Sequence, residues 1–145
     1  ILSSNNQLES NMKVKFLDPQ GNLPASLIKL GYSSNANFHL ENEEEYLVYG
    51  ISIWRNVIHY LVIPSGLKLP NWLPADLFQV TDPSLPSEWY FRYLGKNHQS
   101  EVAMKIGYKE IALDDDHDAD LMERMEGAIK VFLLRQQEAE SSKND

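Results

Sequence analysis

Between Asp114 and Asp120 the chain reads DDDHDAD, five aspartates and a histidine within seven residues. Carboxylates and imidazole are ligands for divalent cations, so a calcium loop is the first chemistry to test. Counting from Asp114 puts oxygen donors at the first, third and fifth positions. The sixth is then Ala119 where the sharp turn needs glycine, and the twelfth is Met125 where a bidentate glutamate belongs. Counting from Asp116 gives Leu121 sixth and Gly127 twelfth and fails in the same way. No metal and no cofactor is expected.

His59 is the second candidate. It lies in an apolar segment where a hairpin would set Ser52 opposite it, an arrangement that could serve a general base. A sheet histidine satisfied by a hydrogen bond explains the same residue without chemistry. His39, His98 and His117 fall in or near loops and have no metal-spaced partner. Glu88, Glu110 and the aspartates could form a carboxylate pair only if the fold gathers them. The nucleophile elbow G-x-S-x-G, the zinc motif H-E-x-x-H and both glycine-rich phosphate fingerprints are absent. There is no cysteine, which excludes thiolate nucleophiles, disulfides and cysteine metal sites. The residues therefore predict a protein that is not an enzyme.

The helical reading of DDDHDAD accounts for more of it. A helix start leaves N–H groups unpaired and is partially positive, so Asp116, Asp118 and Asp120 serve as cap and first-turn anions. Five aspartates exceed that need and repel one another. The surplus predicts a surface held negative, with Asp114, Asp115, Asp116 and Asp118 as contacts for a partner. Glu43, Glu44 and Glu45 form a second cluster, and the two together hold eight of the 21 acids.

The elements that must position these groups follow from periodicity. Met12 to Leu17 alternates as a strand, Leu23 to Leu30 allows a short helix ended by Gly31, and Phe38 to Glu41 reads as a further short strand. Tyr46 to Pro64 holds two β-rich runs around Arg55-Asn56. This hairpin sets Trp54 against Val57, Ser52 against His59 and Gly50 against Leu61, with Ile53–Ile58, Ile51–Tyr60 and Tyr49–Val62 on the other face. Both faces are apolar, which places the hairpin centrally. Pro70, Pro74, Pro83 and Pro86 confine the next strands, Leu77 to Val80 and Trp89 to Tyr93, to edges or bends. Val102 to Ile111 is a last strand. From Asp118 the apolar residues Leu121, Met122, Met125, Ala128, Ile129, Phe132 and Leu133 recur at helical spacing, supported by the i,i+4 pairs Asp120–Arg124 and Glu126–Lys130. The predicted fold is α+β: a mostly antiparallel sheet with a central hairpin and a long C-terminal amphipathic helix packed on it. Residues 12–135 form one domain, 1–11 a disordered leader, and 136–145 a polar tail that frays.

The 145 residues suffice for one domain with a real core. With 43% hydrophobic and 23% charged residues the composition is that of a folded globular chain. No apolar run approaches the roughly 20 residues of a membrane span, and the start lacks a secretory pattern, so a cytoplasmic location is expected. The net charge of -8, with scattered cations, repels a phosphate backbone and favours a basic protein partner. Trp72, set between prolines, and Tyr90, after a proline bend, are candidate aromatic anchors for that partner.

The block LPNWLPADLFQVTDPSLPSEWYF, followed by GYKE at Gly107 to Glu110 and the acidic-to-helical ending, resembles small bacterial immunity proteins of secreted or contact-delivered toxin systems. The likeness spans Tyr46 to Phe132 and carries no catalytic motif. It implies an antidote that binds and blocks one cognate toxin, and it transfers no individual residue. Two other classes stay open: a small hydrolase or metal-dependent enzyme using His59 or His117 with carboxylates, and a regulatory module that self-associates through a sheet edge.

Overall fold

The computed structural model describes residues 11–144. The expected leader, residues 1–11, falls outside them except for Asn11, which is buried. The elements in order are β1 (Lys13–Phe16), α1 (Ala25–Leu30), β2 (Glu45–Leu47), β3 (Gly50–Trp54), β4 (Val57–Val62), β5 (Asn71–Pro74), a 3-10 turn (Ala75–Leu77), β6 (Phe78–Asp82), β7 (Tyr90–Tyr93), β8 (Val102–Gly107), α2 (Lys109–Leu113), α3 (Asp115–Met122) and α4 (Glu126–Asn144). The fold is α+β, with two antiparallel sheets ordered β2-β1-β6 and β5-β4-β3-β8-β7.

The hairpin forms in the register its sequence dictates. Ser52 opposes His59, Gly50 opposes Leu61 and Ile51 opposes Tyr60. Arg55 and Asn56 both take positive φ, 50° and 65°, the turn geometry whose twist matches the flanking strands. Its two strands are interior to the larger sheet, because both of their faces must be covered. The proline-flanked strands β5, β6 and β7 all lie at sheet edges, where a missing N–H costs no ladder bond.

Alternation along β3, β4 and β5 feeds two cores. One face of the larger sheet sends Tyr60, Val62 and Leu73 against the smaller sheet, where Val14, Phe16, Tyr46 and Leu77 complete a buried cluster. Tyr60 and Phe78 meet edge-to-face at 5.9 Å there. The other face places Leu61 and Trp72 under the helices, with Ile111, Leu121 and Phe132 fully buried. Gly107 permits this approach. A Cβ on it would stand 2.7 Å from Ile111 Cγ2 and 2.9 Å from Gly50 Cα.

Four expectations are corrected. Phe38 to Glu41 is no strand: the segment is tied down by a Tyr46 hydroxyl accepting from Glu41 N–H and a His39 carbonyl accepting from Ser65 N–H, and β2 begins only at Glu45. The last strand stops at Gly107 and the chain turns into α2. The expected single C-terminal helix is two, separated at Arg124, which takes φ 61°. Arg124 consequently makes no i,i+4 pair with Asp120 and donates instead to the Pro70 carbonyl and to Asn71 Oδ1, both at 3.0 Å. Finally, α4 continues to Asn144 rather than giving way beyond Arg135.

Candidate functional site

Neighbouring strands of the larger sheet carry directly opposed residues on a common face, and one such rank is polar. Pro74 on β5 is followed by His59 on β4, Ser52 on β3, Lys105 on β8 and Arg92 on β7. These side chains point toward the helices. Lys105 is only 5% exposed, in a strand that is otherwise apolar. A buried ammonium without a partner is prohibitive, and α3 supplies the partners. Lys105 Nζ lies 2.8 Å from Asp118 Oδ2 and 3.2 Å from Asp115 Oδ1. Arg92 grips both oxygens of Asp115 at 2.9 and 3.2 Å, and Trp72 donates its indole N–H to Asp118 Oδ1 at 2.9 Å.

Part of the aspartate run thus serves contacts within the chain. Asp114 caps α3, its carboxylate accepting from the N–H groups of Asp116 and His117 at 3.0 and 3.2 Å. Burial raises the pKa of Asp115, but the hydrogen bonds from Arg92 and Lys105 outweigh it and hold the carboxyl below its usual range. Of the anticipated acidic contacts in this run, Asp114, Asp115 and Asp118 bond to groups of the same chain, but only Asp118 is half-buried, and Asp114, Asp115 and Asp116 are exposed. Glu43, Glu44 and Glu45 are exposed but belong to the smaller sheet and its approach loop, on the other side of the larger sheet from α3. The two acidic clusters do not form one surface. Trp72 is half-buried and tied to Asp118, so it does not project as an anchor, whereas Tyr90 is 45% exposed.

His117, on the buried face of α3, has its Nε2 2.6 Å from the Tyr108 hydroxyl. Burial pushes the phenol far above its ordinary value, so Tyr108 stays neutral and shares a hydrogen bond with the imidazole. Burial also lowers the His117 pKa against the pull of Glu110 and Asp118. Its ring is a core hydrogen-bond partner with no access to a substrate. His59 differs. Its Nδ1 is 2.9 Å from the Val57 carbonyl, which can only accept, so that nitrogen carries the proton and Nε2 is a bare acceptor. Nε2 is buried with no protein partner. His59 and Ser52 line a cleft of about 260 Å³ walled by Trp54, Trp72 and Tyr32 and bordered by Lys105 and Asp118. Burial lowers the His59 pKa, opposed by its bond to Val57. Among the described residues there is no group of three or more histidine or carboxylate side chains placed to hold a metal ion.

The opposite face of the same sheet is only half covered. Over β4 and β5 it meets the smaller sheet, but toward β8 and β7 it is open. Tyr93 opposes Met104, Met104 opposes Ile53 and Ile53 opposes Ile58, while Phe91 opposes Ile106 beside them. Tyr93 is 71% exposed, Phe91 62% and Ile58 45%. The apolar rank therefore runs across four strands to an edge strand, YFRY, whose outer backbone is unpaired. Sequence reasoning missed both this face and the Lys105–Arg92 pair. Its signal was the lone cation in VAMKIG, which in a covered strand demands a carboxylate from elsewhere.

No family model, curated protein or solved structure matches this chain. Among the described residues no helix is long and apolar enough to cross a membrane.

Proposed function

We propose that this chain is a protein-binding module that uses the open half of its larger sheet to hold a basic protein. The observation that carries the reading is the apolar rank in which exposed Tyr93 and Ile58 flank half-buried Met104 and Ile53, with exposed Phe91 alongside. Folded monomers seldom leave such a contiguous apolar face in water, and where they do it marks a contact surface. Natural proteins normally blunt an edge strand with charges or prolines, whereas β7 presents Tyr90, Phe91 and Tyr93, residue types that dominate binding energy. The net charge of -8 selects for a basic partner and speeds its encounter. Together with the resemblance to immunity proteins, this supports a cognate antidote that blocks a basic toxin domain without chemistry of its own. Anchoring rests on aromatic contact. The exposed Glu43, Glu44, Glu45 and Asp116 contribute steering.

The test is to read the neighbouring gene for a protein that ends in a basic domain and to co-purify that domain with this chain, at low and high salt. The native chain is expected to retain it, and Phe91→Ser with Tyr93→Ser to weaken binding at least about tenfold with the fold intact. Replacing Glu43, Glu44 and Glu45 by glutamine is expected to reduce only the salt dependence. Equal retention by the serine variant would defeat the proposal. The free backbone of β7 favours a second reading, edge-to-edge pairing with another copy of the chain. A solution mass of two chains that reverts to one in the serine variant would support that alternative.

A further inference from the structure

The cleft on the helix side is independent of that face, and we infer that it is a binding site for a small, neutral, planar molecule carrying an N–H or O–H donor. Four observations converge on this class. Its volume of about 260 Å³ lies just under the range of roughly 300–1,000 Å³ typical of pockets for drug-sized ligands, which limits the occupant to one or two fused rings. Trp54 and Trp72 wall it, and aromatic walls favour a flat apolar body.

Charge decides against an ion. Lys105 and Arg92 are met by Asp115 and Asp118, two cations against two carboxylates, so nothing in the cleft would compensate an added charge. His59 decides the polar group. The residue is 3% exposed, its Nδ1 proton is committed to the Val57 carbonyl, and Nε2 is an acceptor with no protein partner. A ligand without a donor would leave it so, at the cost that attends any buried unpaired acceptor. Nε2 is shielded from solvent, so a donor reaches it by displacing a neighbour. The half-buried Trp54 ring, a wall of the cleft, lies edge-on to the imidazole at 5.5 Å.

Titrating the full chain, labelled with ¹⁵N at histidine, with indole and separately with indene tests this directly, since the two probes share a shape and only indole has an N–H. Indole is expected to move the His59 Nε2 resonance and shift Trp54 fluorescence, and to bind at least about tenfold more tightly than indene. His59→Phe, which keeps a ring but carries no acceptor, is expected to abolish the preference. Equal affinity for both probes, or no response of His59 to indole at about 1 mM, would overturn the assignment. The comparison on the native chain stands even if the phenylalanine variant fails to fold. Because the probes report on the cleft and not on the open sheet face, failure here leaves the protein-binding proposal intact.

Discussion

Lys105 Nζ lies 2.8 Å from Asp118 Oδ2, and the two side chains are 6% and 15% exposed. This pair locks α3 onto β8 and explains why an acidic run sits where it does. Removing one partner of a buried pair leaves an uncompensated charge and typically costs about 3–5 kcal/mol, whereas removing both is far less costly. Lys105→Met is therefore expected to lower the unfolding free energy by about that amount. Adding Asp118→Asn, which keeps an acceptor for the Trp72 indole, should recover part of the loss. Urea unfolding of the two single variants and the double variant measures the coupling, and simple additivity would refute it.

The legible part of this fold is the part determined by near neighbours. The hairpin could be read to the residue because its turn, its period and its two apolar faces are all local, and the edge placement of β5, β6 and β7 follows from where proline can sit. Arg124 was illegible for the opposite reason. Its guanidinium bonds to Pro70 and Asn71, which lie 54 and 53 residues earlier in the chain. The same applies to the site. DDDHDAD announced charge, but only the fold shows that Arg92 and Lys105, on strands whose order no periodicity reveals, take up Asp115 and Asp118. The open face was hidden because Ile53 and Met104 look like core residues until the extent of the smaller sheet is known.

Two glycines should respond to alanine with opposite signs. At Gly107 a Cβ would meet Ile111 Cγ2 at 2.7 Å and the Tyr49 carbonyl oxygen at 2.9 Å, and neither backbone can withdraw without parting α2 from the sheet. Gly107→Ala is expected to destabilise by about 1–3 kcal/mol. At Gly127, in the first turn of α4, nothing lies within 4 Å. Gly127→Ala is expected to stabilise by about 0.4–1 kcal/mol by restricting the unfolded chain. Thermal melts of both variants decide the matter.

Acid should weaken the fold in two stages. His59 and His117 have lowered pKa values in the folded chain, chiefly through burial. The unfolded chain therefore binds more protons in this range, and stability present above about pH 6.5 is lost as pH falls toward the folded values. Glu110, held low by its hydrogen bond from Arg135, and Asp115 act the same way at lower pH, beginning near the ordinary carboxylate range. Denaturant midpoints between pH 8 and pH 5 are expected to fall before the carboxylates titrate. His117→Gln, whose amide can still hydrogen-bond to Tyr108, should flatten that first decline, and an unchanged slope would contradict the assignment.

The break between α3 and α4 sets two effects of Arg124 against each other. Its φ of 61° is strained for a residue with a side chain, so Arg124→Gly relieves about 1–2 kcal/mol on conformational grounds alone. The guanidinium, however, donates to the Pro70 and Leu121 carbonyls and to Asn71 Oδ1 at 3.0 to 3.1 Å, and hydrogen bonds from a charged group contribute about 1.5–3 kcal/mol each. Three such bonds outweigh the strain even if exposure halves their value. The glycine variant is expected to be net less stable, and hydrogen exchange should rise first at Asn71 and along β5, where the lost contacts end. If the variant proved more stable than the native chain, the helix break would be a backbone preference rather than a side-chain clamp.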